Sequence, residues 1–243
     1  QDGSTVKLVY ENRGEKLGLT RLDLNDRIAE KIEEAELDPD QTALLERLLG
    51  RDYEVITAGD RLDKIADDFV DHCSTRWECG KSMFVCIDKI TCARMYQRIL
   101  PRWQAKIESL RGQLAQEQEE LAACKDEDRA EKLRLGCEKR QRQIAWMEET
   151  RIGLVISEGQ NEIRDFRKWD FDIVPHRLLM KKGFETADGQ SMSVERAYKD
   201  PQHPFRIVIV CAMWLTGFDV ECLSTLYIDK PMKAHNLMQA IAR

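Results

Sequence analysis

Phosphate chemistry needs small residues that let a backbone come close, a cation that reaches an oxyanion, and a carboxylate or hydroxyl that can hold a sugar. Thr216-Gly217-Phe218-Asp219 supplies a hydroxyl, a glycine and a carboxylate directly after an apolar run. On a loop at a strand end, such a set can approach a sugar–phosphate backbone and hold a ribose hydroxyl. Gln239 and Arg243 follow, spaced to share one face of a helix. A Gln and an Arg so placed can point across a cleft at an anionic transition state, as an arginine finger does. Cys79-Gly80-Lys81-Ser82 has the ending of a phosphate-binding P-loop, but the first glycine of the full pattern would fall at Thr75. The string also precedes an apolar run, whereas a P-loop follows a strand and opens a helix. The chain is therefore expected to lack a triphosphate cradle of its own. Ile87-Asp88 and Ile228-Asp229 have the form of a strand ending in a metal-binding aspartate. Without a P-loop, both are expected to be solvated strand ends, and no metal site is expected.

Other reactive types are scattered. His72, His176, His203 and His235 are isolated and suggest no nucleophilic triad. None of the eight cysteines forms a CxxC pair, and the spacings of Cys73, Cys79, Cys86 and Cys92 fit common zinc sites poorly. Reduced thiols, and a start without a signal-peptide pattern, point to the cytoplasm. The start also lacks a Met, as an excised piece would. Arg164, Arg167, Lys168 and Trp169, with Arg177, Lys181 and Lys182, form a local basic strip. It would suit either phosphates or a solvated helix face. With Lys plus Arg at 38 and Asp plus Glu at 44, the net charge of −6 excludes a uniformly basic nucleic-acid coat. No apolar stretch is long enough to span a membrane.

The elements that must position these residues are legible as apolar runs. Residues 82–87, 152–157, 207–211 and 223–228 read as buried strands of a parallel sheet. Helical patterns lie at 160–171, 193–199 and 233–242, and another follows Asp88 and ends near Pro101. Alternating strands and helices imply an α/β, doubly wound fold, with ligands in the loops after Ile87, Ile156, Cys211 and Ile228. Upstream, the pattern predicts a short strand over 5–10, helices within 23–49 broken at Pro39, and a helix from Asp60 as N-cap. Residues 104–150 stand apart. Ile107, Leu110, Leu114 and Leu121, then Leu133, Cys137, Ile144 and Met147, step by three and four in a highly charged background. They predict an antiparallel helical hairpin, turning near Asp126, with arms roughly 30 Å long. It is either a self-packed spacer or an arm that docks a partner protein or nucleic acid.

Several of these strings resemble a known family. TGFD at 216–219 is similar to helicase motif V, and QAIAR at 239–243 to the beginning of motif VI. GKSMFVCIDKITCARMYQRI at 80–99, ISEGQNEIRDFRKWDFDIVPHR at 156–177 and FRIVIVCAMWLTGFD at 205–219 resemble the motor (restriction, R) subunit of type I restriction–modification enzymes, of the superfamily-two helicases and translocases. The resemblance implies a RecA-like domain at 60–243 that carries the 104–150 insertion, after a connecting segment at 1–59. It implies ATP and Mg2+ as cofactors, bound between this domain and a first RecA-like domain that carries the P-loop. Asp219 and Gly217 would contact the ribose, Gln239 and Arg243 would act catalytically at the phosphates, and Thr216 would touch a DNA phosphate. The implied activity is ATP-dependent translocation on double-stranded DNA ahead of cleavage, in company with methylation and specificity subunits. Motif VI of the family runs on to a second arginine, so a fragment ending at Arg243 is expected not to hydrolyse ATP by itself. The competing expectation is a non-catalytic docking module built on the hairpin.

Overall fold

The structure, a computed structural model, describes residues 9–16, 26, 28–31, 47–186, 188–215 and 217–232. In chain order it contains α1 (Arg13–Lys16), α2 (Arg51–Ile56), α3 (Gly59–Thr75), β1 (Lys81–Cys86), α4 (Lys89–Ala123), α5 (Glu127–Glu149) and β2 (Arg151–Val155). These are followed by α6 (Glu162–Arg167), α7 (Val174–Lys182), β3 (Phe184–Glu185), β4 (Ser191–Met192), α8 (Val194–Lys199), β5 (Phe205–Val210) and β6 (Leu223–Asp229). Among the described residues, β2-β5-β1-β6 form a parallel four-stranded sheet, and β3 and β4 form a small antiparallel hairpin. The fold is α/β with helices on both faces of the sheet, as in RecA-like domains.

The strands are buried on both faces, which is why they read as continuous apolar runs. Their side chains still alternate. Phe84, Cys86, Leu154, Ile207 and Ile209 pack with Phe69, Trp103 and Met147 of α3, α4 and α5. Met83, Val85, Val155, Val208 and Val210 face the other way, onto Tyr198, Leu215, Phe218 and Val220. In-register pairing of Met83 with Val208 and with Leu226 aligns β5, β1 and the edge strand β6.

Several local expectations are corrected. The helix after Asp88 does not end near Pro101: α4 is one 35-residue helix through that proline. A mid-helix proline loses a hydrogen bond and costs about 3 kcal/mol. Here Pro101 sits on the solvent side, while Ile99, Trp103, Ile107 and Leu110 continue one buried stripe past it, and Trp103 Nε1 donates to Met147 O at 2.9 Å. Burial of that stripe outweighs the local break. α5 returns antiparallel after Asp126, whose carboxylate accepts the Arg129 N–H at 2.8 Å as an N-cap. α3 begins two residues early, with Ala58 as its N-cap, so Asp60 is not its cap but an acidic residue in its first turn, where the helix dipole favours it. Of the strand expected at 5–10, the described Val9 and Tyr10 are exposed and not in a strand. Within 23–49, residues 28–31 and 47–49 are helical, and the helix expected at 233–242 lies outside the described residues.

Candidate functional site

β5 and β6 are parallel and β1 lies between them, so the chain must leave β5 at its carboxyl end and return across a face of the sheet to start β6. Residues 211–222 make this crossing. The TGFD string was expected at the strand end, but β5 stops at Val210 and its described residues, Gly217, Phe218 and Asp219, lie well along the return. The crossing is held at both ends. Lys230 Nζ donates to Cys211 O at 3.1 Å, and Lys81 N–H donates to Cys222 O at 2.9 Å. Turns closed by Leu215 N–H to Ala212 O and by Leu223 N–H to Val220 O shape its two halves.

Between these ties, residues 217–220 alternate. Phe218 and Val220 are buried against the sheet, and Gly217 and Asp219 are exposed. Gly217 has φ +67°, with open space where a Cβ would stand, so only the backbone conformation asks for glycine. Trp214 also has a positive φ, +65°, which costs a residue with a bulky side chain about 1–2 kcal/mol. Its ring lies flat on Phe218 (centroids 4.2 Å apart, planes at 10°) and near-parallel to Tyr198 (5.5 Å, 22°). Lys199 Nζ stands 4.6 Å from the Phe218 centroid, and the Tyr198 hydroxyl donates to Ser82 O at 2.9 Å. A cluster of three near-parallel aromatic rings, with Tyr198 also 6.5 Å from Phe218, thus roots the exposed Gly217 and Asp219 in β1 and α8. Thr216, Gln239 and Arg243 lie outside the described residues.

Both strand-end aspartates correct the expectation of solvation. Asp88 is fully buried at the end of β1. It caps α4 by accepting the Thr91 N–H at 2.7 Å, and it accepts the Tyr53 hydroxyl at 2.5 Å. Asp229, buried at the end of β6, forms a two-point ion pair with Arg61, which also donates to Ile56 O at 2.7 Å. Each acid is consumed in tying the α2–α3 segment to the sheet. Among the described residues, no group of three or more His, Cys, Asp or Glu is placed to hold a metal.

Lys81 of the Gly-Lys-Ser string opens β1 instead of following a strand. It is buried, donates to Ala197 O at 2.8 Å, and lies over the Tyr198 ring at 5.4 Å. Burial pulls its ammonium down to about 8. Its ammonium is turned into the fold and committed to the Ala197 carbonyl. In the basic strip, Arg177 is withdrawn from solvent. It pairs with Glu162 at 2.7 Å and donates to Ser157 O and Ile156 O, clasping the loop after β2. Lys168 pairs with Asp165, Lys181 with Glu158, and the Arg94 guanidinium covers Trp169 at 4.4 Å. The strip is largely answered within the chain.

The described histidines are structural. His176 packs on Tyr96 and Phe171, and His203 Nδ1 accepts the Phe205 N–H at 3.1 Å. His72 lies against Tyr227. Burial depresses the basicity of all three. The cysteines of the described structure are free thiols.

A family model described as type I restriction enzyme subunit R domain 3 matches residues 80–243, from the glycine that precedes β1 to Arg243. The chain belongs to this family. It is 29% identical over 249 residues to the type I restriction enzyme HindI endonuclease subunit of Haemophilus influenzae, covering 100% of the chain and 18% of that relative. It is 28% identical over 246 residues to the putative type I restriction enzyme MjaIXP endonuclease subunit of Methanocaldococcus jannaschii, covering 99% of the chain and 18% of the relative. A shorter match, 45% over 53 residues, is to the SauCOLORF180P endonuclease subunit of Staphylococcus aureus. The chain therefore spans about a fifth of the length of its first two relatives. No solved structure matches it. Among the described residues of this domain-3 member, no helix is long and apolar enough to cross a membrane. Its matched segment holds the whole parallel sheet, the hairpin and the aromatic cluster. Sequence reasoning missed the ring cluster, although Trp214 shortly precedes the motif, Phe218 lies within it and Tyr198-Lys199 form an aromatic–cation step.

Proposed function

We propose that this chain is the second RecA-like (C-terminal helicase) domain of a type I restriction R subunit, with residues 60–243 as that domain and 1–59 as a connecting segment. It contributes to ATP-dependent translocation on double-stranded DNA, which precedes cleavage by the complete enzyme with its methylation and specificity subunits. The observation that carries this proposal is the exposed pair Gly217 and Asp219, set on a return crossing whose flanking residues are buried in the sheet. An exposed carboxylate next to a backbone with no Cβ in the way fits a ribose. Lys81, the cation of the Gly-Lys-Ser string, is buried on the Ala197 carbonyl, so in this reading the triphosphate would be held by a partner RecA-like domain. Family membership and full-length similarity to restriction endonuclease subunits support the same assignment.

In this mechanism Asp219 accepts hydrogen bonds from the ribose, and the Gly217 backbone lies against it. Gln239 and Arg243, which lie outside the described residues, would act at the phosphates, where Arg243 would stabilise charge as it develops. Thr216 would touch a DNA phosphate, a contact without sequence information, as a translocase requires. ATP with Mg2+, when bound, would supply the phosphoryl group whose transfer to water would power closure and reopening of the cleft. In the intact protein, Arg243→Ala should abolish DNA-stimulated ATP turnover while leaving the fold intact. Wild-type turnover in that variant would overturn the assignment.

One observation favours a second role for the hairpin, as a docking arm. Between Leu110 and Cys137 no described residue of α4 or α5 is buried, and Leu135 is exposed at the outer end. Deleting the outer part of the hairpin separates the roles. Lost assembly with normal turnover marks docking, and lost DNA stimulation marks the motor.

A further inference from the structure

We propose that Trp214 is a positioning residue for the nucleotide loop. Its ring, packed against both Tyr198 and Phe218, fixes the crossing so that Gly217 and Asp219 are presented in one conformation before any ligand arrives. The inference rests on the assignment of Asp219 to a ribose.

Three independent features point to a built latch. Trp214 adopts φ +65°, a backbone state that a bulky residue keeps only when its surroundings demand it. The surroundings are the two near-parallel rings, at 4.2 Å and 5.5 Å, and the outer ring is covered by Lys199 Nζ at 4.6 Å. The segment it serves alternates buried Phe218 and Val220 with exposed Gly217 and Asp219, so a sliding or flipped Phe218 would turn the carboxylate away. Tyr198 in turn is fixed by its hydroxyl on Ser82 O and by Lys81 beneath its ring. The path from the rigid central strand to Asp219 therefore runs through three mutually touching, near-parallel rings, of which the crossing supplies two, Trp214 and Phe218, and the left-handed Trp214 wedges Phe218 from the side. Holding the loop in advance removes an ordering cost from binding, so loss of the latch weakens nucleotide affinity more than it slows the chemical step.

The test uses the intact protein, a fluorescent ATP analogue, ATP turnover on DNA, and amide hydrogen exchange. Trp214→Ala should speed exchange at the Gly217–Val220 amides while β5 stays protected. It should also raise the KM for ATP by about tenfold, with kcat changed by less than about threefold, the effect of losing roughly one to two stacked pairs. Trp214→Phe, which retains a ring, should restore both readouts. Lys199→Met should give a weaker effect in the same direction. Unchanged loop exchange in Trp214→Ala overturns the latch. So does wild-type nucleotide affinity in Trp214→Ala when Asp219→Ala has lost it. Wild-type affinity in Asp219→Ala overturns the ribose assignment instead, and the latch then stands or falls on exchange and on rescue by Trp214→Phe.

Discussion

Replacing Lys81 by methionine should change how stability responds to alkaline pH. The side chain is about 1% exposed, its ammonium is bonded to one carbonyl, and burial lowers it from 10.5 to about 8. A base whose folded value is depressed binds fewer protons in the folded chain than in the unfolded one between these two values. The native state therefore gains stability as pH rises from about 8 to 10.5. At about 1.36 kcal/mol per unit, the gain attributable to Lys81 is ~3 kcal/mol. Other groups act in the opposite direction: burial pushes the Cys73 thiol up to about 12, so its ionisation favours unfolding at high pH. They are common to both proteins and cancel in a difference. Urea unfolding followed by tryptophan fluorescence, at half-unit steps from pH 7 to 10.5, gives that difference directly. Near pH 7 the two proteins should be similar, because Lys81→Met removes a costly buried charge but strands the Ala197 carbonyl, an offset of about 1–3 kcal/mol. By pH 10.5 the wild type should lead by ~3 kcal/mol. Parallel stability curves would refute the buried-lysine account. Retained stability coupled to lost nucleotide binding would do so too, and would return the Gly-Lys-Ser string to phosphate chemistry.

Three further outcomes are expected. Arg61→Met strands the Asp229 carboxylate and should cost about 3 kcal/mol in urea unfolding, whereas the double variant with Asp229→Asn should recover part of that loss. Pro101→Ala restores an amide on the solvent face of α4 and should raise stability by ~1–3 kcal/mol, read as a higher denaturation midpoint with unchanged slope. In native protein a thiol reagent should modify the exposed Cys79 rapidly and leave Cys73, Cys86, Cys92 and Cys211 protected until urea is added, because these are buried and burial raises Cys73, Cys86 and Cys92.

The sheet was legible in the sequence because a strand buried on both faces must be apolar throughout. Residues such as Met83-Phe84-Val85 have no solvent side to mark with a polar residue. The course of α4 was not legible, because the proline signal at 101 is local and the stripe from Ile99 to Leu110 gains its weight only when α5 and β2 lie against it. Asp88 and Asp229 show the same limit in electrostatics. A carboxylate at the end of an apolar run looks solvated until its distant partners, Tyr53 and Arg61, are brought to it. The type of residue at Gly217 and Asp219 was readable, but the rings that root them come from Tyr198 and Trp214, and their stacking has no signature in spacing. Arg177 looked like part of a surface strip for a similar reason. Its neighbours in sequence are charged, while its partners, Glu162 and the Ile156 and Ser157 carbonyls, are met only after the chain turns back.

Because α4 runs unbroken from its cap on Asp88 to Ala123, it is a rod of about 50 Å whose root is the end of a central strand. A rod magnifies angles. A tilt of about 5° where it meets β1 swings its far end by about 4 Å, close to the rise of a full helical turn. The proline in its middle does not make a joint, since the buried stripe grips both sides of it. Motions at the strand ends and motions at the hairpin tip are therefore one mechanical coordinate, geared upward toward the solvent.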